Sequence, residues 1–245
     1  MISYSVDGVL LDIEGTTSSI DFVYQQMFPY VRRELGGFLE EYFAEPEVMT
    51  ACRLIAVEGG LHKFAMLSQH EASRAEAVAL VRTEVLRLMD GDSKSTGLKR
   101  LQGLIWRRGF ESGELVAHVF PDVLPQLTAW SAAGLSLYIY SSGSIESQKL
   151  FFGHTEQGNL RRYFSGYFDT TTGPKRESTS YATIAEACRI SAARFLFLSD
   201  VSAELAAAST AGFHVGLCLR SGNSPQPDAH RWPQFEDFSQ IEVSR

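Results

Sequence analysis

The sequence has little cysteine, no long apolar run and no excess of basic residues, and each absence removes a class of protein. Its three cysteines are Cys52, Cys188 and Cys218, and none forms a C-x-x-C pair. Neither a zinc site nor a redox pair is indicated, and a reducing compartment, the cytoplasm, fits best. No apolar run approaches the ~20 residues that span a bilayer. The N-terminus lacks the basic and apolar pattern of a signal peptide, so we expect no membrane partner.

The charge balance is acidic, with 22 basic and 29 acidic residues and a net charge of −7. Nucleic acids and anionic membranes require a basic patch, so neither is an expected partner. The 245 residues are 44% hydrophobic and 21% charged, which is ordinary for a globular protein. If this chain handles phosphates, its positive field must be local, from a metal, a lysine or backbone N–H groups.

Short apolar runs bounded by turn residues predict the strands of a sheet. The runs are Val6–Asp12, Leu135–Tyr140, Tyr163–Asp169, Phe195–Leu198 and His214–Leu219. Helical spacing of apolar residues precedes the second and the fourth of them, at Phe120–Trp130 and at Tyr181–Cys188. Strands that alternate with helices predict an α/β fold with a parallel sheet covered on both faces.

The alternation is interrupted between about residues 22 and 118, where no convincing strand pattern is present. Apolar residues recur there at helical spacing, for example at Val78, Val81, Val85 and Leu88. We predict a core domain of residues 1–21 and 119–245 with a helical insertion of residues 22–118. The tail, residues 221–245, has weak periodicity and is predicted to be irregular.

Asp12 ends the first predicted strand and is followed by Glu14 and by a turn at Gly15. A carboxylate at that position points out of the sheet, and an aspartate can act as a nucleophile that forms an aspartyl-phosphate. Glu14 returns to the same side as Asp12 and is placed to exchange a proton with a leaving oxygen and with water. The alternative interpretation is a strand that ends in solvated acids near a turn.

Two further clusters follow later strands. Ser141, Ser142 and Gly143 offer hydroxyl and N–H groups for a phosphate, close to the start of a predicted helix. Taken alone, the cluster is better explained as an ordinary helix N-cap, for which serine is a preferred residue. Lys175, in a Gly-Pro-Lys turn, is a candidate to balance phosphoryl oxygens, although a lysine in a turn is usually a solvated surface charge.

Asp200 follows the predicted strand Phe195–Leu198, from which one serine separates it. Glu204 lies one helical turn after Asp200. Mg²⁺ prefers carboxylate oxygens and water, so Asp200 is a candidate magnesium ligand with Glu204 behind it. The alternative is again a helix cap, with Glu204 in the first turn of the helix. Nucleophile, hydroxyl cradle, lysine and metal acid occur in that order, each after a separate strand, and in parallel sheets such positions share one edge.

That order resembles the four-motif pattern of the haloacid-dehalogenase-like phosphatase superfamily, and it is most similar to the enolase-phosphatase family of methionine salvage, often called E1. The strings that carry the resemblance are Leu11–Ile20 (LDIEGTTSSI), Tyr140–Gly153 (YSSGSIESQKLFFG), Phe168–Tyr181 (FDTTTGPKRESTSY), Phe197–Glu204 (FLSDVSAE) and, in the insertion, Leu98–Trp106 (LKRLQGLIW). The first has Glu14 where most of the superfamily has a second aspartate. Arg220–Asn223 (RSGN) resembles an RPGN stretch of the family, with Ser221 in place of proline.

The resemblance implies a Rossmannoid core, a helical cap formed by residues 22–118, and one Mg²⁺ per subunit. Asp12 would be the nucleophile, Glu14 the general acid and base, and Lys175, Ser141, Ser142 and Gly143 the phosphate site. Asp12, the backbone carbonyl of Glu14 and Asp200 would hold the metal, with Glu204 behind these ligands and not in contact with the metal itself. The implied enzyme is a monomeric, cytoplasmic phosphoric monoester hydrolase, an acireductone synthase. Its substrate would be 2,3-diketo-5-methylthiopentyl 1-phosphate, which is enolised and then dephosphorylated.

Two points about specificity stay open in the sequence. Lys99, Gln102 and Trp106 fall on one helical face of the insertion, where they would either bind substrate or form a solvated Lys–Gln face with a buried Trp. Glu14 is a hypothetical enolisation base, because its side chain reaches one methylene farther than aspartate does.

Three other functions compete with an enolase-phosphatase. A generic phosphomonoesterase on the same scaffold would differ only in lacking enolisation. A non-catalytic binding protein has no reason to keep both Asp12 and Lys175. A dehalogenase with an aspartate nucleophile needs no Mg²⁺, so Asp200 and Glu204 argue against it.

Overall fold

The computed structural model describes residues 2–93 and 95–245, which divide into two compact units. The sheet unit runs up to Tyr24 and from Val116 to Arg245, and the helical unit is Gln25–Leu115. The roles predicted for these parts of the chain, a catalytic core and a cap, stay predictions. No helix in the described ranges is long and apolar enough to cross a membrane.

The strands of the described residues all belong to the sheet unit, and every pair of neighbouring strands is parallel. They are β1 (Ile2–Ser5), β2 (Gly8–Leu11), β3 (Ser136–Tyr140), β4 (Phe164–Phe168), β5 (Phe195–Ser199), β6 (His214–Cys218), β7 (Gln234–Phe235) and β8 (Ile241–Ser244). Six of them form a sheet in the order β4-β3-β2-β5-β6-β7, and β1 pairs with β8 in a separate two-stranded sheet. The prediction of a parallel α/β core is confirmed.

The α-helices supply the covering layers and the whole of the helical unit. They are α1 (Ile20–Phe22), α2 (Phe28–Tyr42), α3 (Pro46–Glu58), α4 (Phe64–Leu67), α5 (Arg74–Asp90), α6 (Thr96–Ser112), α7 (Val123–Ala132), α8 (Ile145–Gly153), α9 (Ser178–Cys188) and α10 (Ser202–Thr210). In the helical unit α3 packs on α6, and α2 packs on both α5 and α6. No strand occurs in the described part of that unit, residues 25–93 and 95–115.

The central strands are buried on both faces. Leu10 and Phe197 belong to an apolar cluster that also includes Ile184 of α9 and Leu205 of α10. Alternate residues such as Leu11 point to the opposite face and are equally inaccessible. Burial on both faces explains why these strands read as unbroken apolar runs rather than as an alternating pattern.

The prediction of an irregular tail is wrong in part. The tail contributes β7 to the large sheet and β8 to the small one, and β1 was not predicted either. β7 has two residues, and of the four residues in β8 only Ile241 is buried. Such strands carry too short an apolar pattern to be recognised locally.

A tight turn follows β6 at Arg220–Asn223. The Asn223 N–H donates to Arg220 O at 3.1 Å, and Gly222 has a φ of 89°. This combination defines a type II turn, in which the third residue needs a positive φ and the second favours proline. The proline of the family pattern therefore has a conformational reason, and Ser221 occupies its position.

We expect Ser221→Pro to raise the free energy of unfolding by about 0.4–1 kcal/mol, because proline restricts the unfolded chain at a position whose native φ it already fits. Urea unfolding of the variant and of the parent protein measures the difference. Leu219→Pro is the matched control: it removes the N–H that donates to Phe235 O at 2.7 Å and should destabilise the protein. A loss of stability in Ser221→Pro would contradict the type II turn.

Candidate active site

The carboxyl ends of four neighbouring strands bring the candidate residues to one edge of the sheet. Asp12 directly follows β2, Ser141 follows β3, Asp169 follows β4 and Asp200 follows β5. Since the strands are parallel, these residues share the edge at which open α/β sheets bind ligands.

A buried ion cluster lies at this edge. Lys175 Nζ is 2.7 Å from Asp12 Oδ2 and 2.7 Å from Glu204 Oε2. All three side chains are buried, and Lys175 is only 7% exposed. The alternative interpretation of Lys175 as a solvated surface charge is therefore wrong. Its ammonium group is the direct link between the carboxylate that follows β2 and the one in the first turn of α10.

The charges of the cluster shift each other's ionisation. Burial alone would lower the pKa of Lys175, but the adjacent Asp12 and Glu204 carboxylates raise it above its usual value. Burial, and then the negative charges of Asp12 and Glu204, raise the pKa of Asp200 to about 7. The pKa of Glu204 is likewise raised to about 7, chiefly by burial and by Asp12. The site thus places three carboxyl groups around one ammonium.

Asp12 is held in place by its backbone and by both of its carboxylate oxygens. Its N–H continues the sheet by donating to Leu198 O at 3.0 Å. Oδ1 accepts the N–H of Ile13 at 2.8 Å, and Oδ2 lies 3.3 Å from Ser199 Oγ. Ser199 Oγ is also 3.0 Å from Glu204 Oε2. Sequence analysis did not select Ser199, and only its place next to Asp200 hinted at a role.

The loop after Asp12 is compact and turns at a glycine. The N–H groups of Thr16, Thr17 and Ser18 all donate to Ile13 O, at 3.2, 3.0 and 2.9 Å. Gly15 has a φ of 68°, and a Cβ there would overlap the Asp200 carboxylate. Only glycine fits both the conformation and the space.

Glu14, in the same loop, is exposed and lies outside the buried ion cluster. Its predicted role as acid and base therefore stays a prediction.

The loop after β3 divides its serines between two tasks. Ser144 is the N-cap of α8 and accepts the N–H of Ser147 at 3.2 Å, so the capping interpretation holds for this serine. Ser141 is buried and accepts the N–H of Gly143 at 3.2 Å, whereas Ser142 is exposed. Ser141, Ser142 and Gly143 are thus not used as the helix cap.

The loop that carries Lys175 is fixed through its carbonyl groups. Tyr140 OH donates to Gly173 O at 2.8 Å, Ser180 Oγ donates to Pro174 O at 2.8 Å and Tyr181 OH donates to Lys175 O at 2.7 Å. Three successive carbonyls of the loop are therefore held by three hydroxyls from β3 and α9. Sequence analysis missed these hydroxyls, since Tyr140 and Tyr181 read as apolar core.

The three candidate residues of the helical unit all lie in α6. Gln102 is buried, and Lys99 and Trp106 are partly exposed. Trp106 Nε1 donates to Met27 O at 2.9 Å, which gives this ring a structural contact inside the helical unit. Their predicted part in substrate binding stays a prediction.

The donor set of the site fits magnesium. The described residues contain no group of three or more His, Cys, Asp or Glu side chains arranged to hold a metal ion. The expected set is different, with two carboxylates, Asp12 and Asp200, and the main-chain carbonyl of Glu14. All of these donors are oxygens, as Mg²⁺ requires. The pKa of Asp200 is raised first by burial and then by the charges of Asp12 and Glu204, and a divalent cation would offset this second cause.

Comparison with known proteins adds the family. No family model matches the chain. The Enolase-phosphatase E1 of Synechococcus elongatus is 45% identical over 237 residues, which cover 97% of this chain and 98% of that protein. The crystal structure of the UTR4 protein of Saccharomyces cerevisiae superposes with a TM-score of 0.77 at 31% identity, over 95% of this chain and 98% of that one. An L-2-haloacid dehalogenase shares the fold with a TM-score of 0.53 at 16% identity, over 97% of each chain.

The parallel sheet with its buried aspartate and lysine is that of a haloacid-dehalogenase-like phosphatase, a hydrolase of phosphoric monoesters. Within that class the chain belongs to the Enolase-phosphatase E1 family, as near full-length identity to a curated member shows. The resemblance that the sequence motifs predicted is confirmed.

We expect Asp200→Asn to stabilise the metal-free protein at pH 8 by about 1–3 kcal/mol, while weakening its binding of Mg²⁺. The unfolded chain releases the Asp200 proton near pH ~4, but the native state releases it only near pH 7. The stability of the parent protein therefore falls as the pH rises between these values, and the variant escapes this loss.

Thermal unfolding in a chelator at pH 5 and at pH 8 measures the effect, which should be larger at pH 8. Asp237→Asn is the control of opposite sign, since its hydrogen bond from Ser239 lowers the pKa of Asp237. Equal melting temperatures for Asp200→Asn and the parent at pH 8 would contradict the electrostatic account.

Proposed function

We propose that this protein is a magnesium-dependent, bifunctional enolase-phosphatase of methionine salvage. It converts 2,3-diketo-5-methylthiopentyl 1-phosphate to the acireductone 1,2-dihydroxy-3-keto-5-methylthiopentene and phosphate, and it acts as a cytoplasmic monomer. The observation that carries the proposal is the buried Asp12–Lys175–Glu204 cluster, in a chain 45% identical to an Enolase-phosphatase E1.

Asp12 is the nucleophile in this proposal. One of its carboxylate oxygens attacks phosphorus, the bond between phosphorus and the ester oxygen breaks, and the leaving oxygen takes up a proton. Water then attacks the aspartyl-phosphate and releases phosphate and free Asp12. The strand end and the two fixed oxygens hold the carboxylate still, which favours attack along one direction.

Lys175 holds the Asp12 carboxylate through their 2.7 Å ion pair and, in this proposal, binds phosphoryl oxygens. Its pKa is raised by its carboxylate neighbours, so it remains an ammonium throughout the working pH range. Glu204 holds the ammonium from the other side and fixes its position. Ser141, Ser142 and the N–H of Gly143 supply hydrogen bonds to the phosphate.

Asp12, Asp200 and the main-chain carbonyl of Glu14 would hold one Mg²⁺. The metal, when bound, supplies positive charge that polarises phosphoryl and carbonyl oxygens of the substrate. The absence of a Cβ at Gly15 leaves the loop room to lie against the Asp200 carboxylate.

Glu14 is proposed to move two protons. It donates one to the leaving oxygen during phosphate transfer and takes one from the attacking water. Its exposed side chain is also a hypothetical base for enolisation, the removal of a proton from the carbon next to a substrate carbonyl.

The helical unit is proposed to select the substrate as a cap, with Lys99, Gln102 and Trp106 as candidate binding residues. The partly exposed Lys99 and Trp106 carry charge and aromatic surface, which suit a phosphorylated diketone with an apolar methylthio end.

The decisive test of the function follows enol absorbance and released phosphate together, with the diketo phosphate or a non-sulfur analogue. We expect both signals only with Mg²⁺ present, and at least a ~10³-fold loss of phosphate release in Asp12→Asn, which lacks the nucleophile. Phosphate release from simple esters without any enol signal would instead identify a generic phosphomonoesterase.

The role of Glu14 is tested separately with Glu14→Gln. If Glu14 is the enolisation base, the enol signal should fall by about 10²–10⁴-fold, in line with the loss of a general base. The measurement is the enol absorbance in a single turnover, before phosphate is released. A variant that still enolises at the parent rate, with only phosphate release lost, excludes Glu14 as that base.

A further inference from the structure

The loop after the nucleophile is held from outside through its carbonyl groups. Gly15 O accepts from Asn223 Nδ2 at 2.9 Å, and Thr16 O accepts from Arg220 Nε at 3.1 Å. Thr17 O accepts the N–H of Phe120 at 3.0 Å. Two of these three successive carbonyls are bonded to the type II turn Arg220–Asn223, about 200 positions farther along the chain.

The main-chain N–H groups of residues 15–18 donate to acceptors within the same loop. The N–H of Gly15 donates to Ser18 O at 2.8 Å, and the next three N–H groups donate to Ile13 O. The N–H groups of residues 15–18 thus bond within the loop, and its main chain is fixed to the rest of the sheet unit through three carbonyl groups. Ser18 Oγ adds a contact of 3.4 Å to His118 Nδ1. Without Arg220 and Asn223, two of the three carbonyl bonds would be lost.

Arg220 is itself rigidly placed. Its two terminal nitrogens donate to the carboxylate of Asp122 at 2.9 and 2.7 Å, and Nη1 also donates to Glu236 O at 2.9 Å. The guanidinium lies between the rings of Phe120 and Phe238, 4.5 and 4.7 Å from their centroids. The side chain is 4% exposed. A guanidinium held in this way fixes the position of Thr16 O, to which its Nε donates.

Asn223 connects the loop to the sheet. Its Nδ2 donates to Cys218 O at 3.0 Å as well as to Gly15 O, so one amide joins the end of β6 to the nucleophile loop. Strand β6 neighbours β5, which Asp200 follows. Both Asp200 and Asn223 lie against Gly15, where a Cβ would be 2.8 Å from Asn223 Oδ1.

We propose that Arg220 and Asn223 are positioning residues, which hold the main chain of residues 13–18 and thereby fix Asp12 relative to Lys175 and Asp200. The inference rests on the proposed function only in taking Asp12 as the nucleophile. It assigns a task to the turn whose second residue is Ser221, and the task requires the side chains at the first and fourth positions of that turn.

Positioning and mere stability have different signatures. A displacement of about 1 Å in a reacting group can cost ~10²-fold in rate. Loss of one hydrogen bond at the surface of the sheet unit affects unfolding but leaves the rate of surviving folded molecules unchanged. The turnover number of folded protein and the local exchange of loop amides therefore separate the two roles.

The experiment compares Asn223→Ala with the parent, using p-nitrophenyl phosphate and saturating Mg²⁺. We expect kcat to fall by about 10- to 100-fold with little change in KM, since substrate contacts are retained while the nucleophile is misplaced. Hydrogen exchange without substrate or metal should be faster at the amides of residues 15–18.

Arg194→Met is the matched control. Arg194 makes the same kind of contacts in the same unit, with two bonds of 3.0 Å to Asp7 and one of 3.1 Å to Ser5 O, but it lies where β2 and β5 begin. We expect it to lower the melting temperature and to leave both kcat and loop exchange unchanged. A second test variant is Arg220→Met with Asp122→Asn, which avoids an unpaired carboxylate and should reproduce the loss in kcat.

The inference is overturned if the parent protein is active and Asn223→Ala has the same kcat and the same rate of amide hydrogen exchange in the loop. A loss of kcat of equal size in Arg194→Met also overturns it. A parent that releases no phosphate from any ester would instead refute the proposed function, and faster exchange of the loop in Asn223→Ala would still stand.

Discussion

The ammonium of Lys175 between two buried carboxylates is the interaction on which the site depends. Buried charges are tolerated only when they are paired and hydrogen-bonded. Here one cation serves Asp12 and Glu204, and the hydroxyl of Ser199 lies against the same two acids. Removing the lysine would leave three buried acids without a cation. The ends of β2 and β5, the loop that carries Lys175 and the start of α10 must therefore lie together for these charges to be stable when buried.

Two irregular loops are fixed in position, as strands and helices are, by hydrogen bonds to successive main-chain groups. In the loop that ends at Lys175, three successive carbonyls accept hydrogen bonds from side-chain hydroxyls. In the loop after Asp12, three successive carbonyls accept hydrogen bonds from a side-chain amide, a guanidinium and a main-chain N–H. A carbonyl has two lone pairs, so it can be bound from outside without disturbing the turn that the amides make. The sheet provides the framework, and these acceptors fix the reacting groups on it.

Much of this arrangement was predictable from local sequence. Strands β2, β3, β5 and β6 were recognisable because burial on both faces makes them unbroken apolar runs, and the rule for parallel sheets then puts Asp12 and Asp200 at one edge. The parallel sheet is confirmed by the structure, in which Asp12 follows β2 and Asp200 follows the neighbouring β5. The roles of the individual residues there stay predictions.

What local sequence does not carry is pairing over distance. Arg220 and Asp122 are ordinary charged residues when read alone, and only folding reveals that their pair is buried between two aromatic rings. Tyr140 and Tyr181 were read as core for the same reason, since a hydroxyl at the end of a buried ring shows no periodicity. Strands β1 and β8 were not predicted because each has only one buried residue and pairs with a strand at the far end of the sequence.

That last pair also bears on how the chain is made. Strand β1 is synthesised long before β8, the strand with which it pairs, and Ser3 Oγ donates to Glu242 across 239 positions. No strand of the six-stranded sheet pairs with β1, but the Tyr4 hydroxyl of β1 donates to Val215 O of β6 at 3.3 Å. The small sheet forms only once β8 has been made, and β8 follows every site-bearing strand in the sequence. Its pairing is therefore completed after those strands have been synthesised.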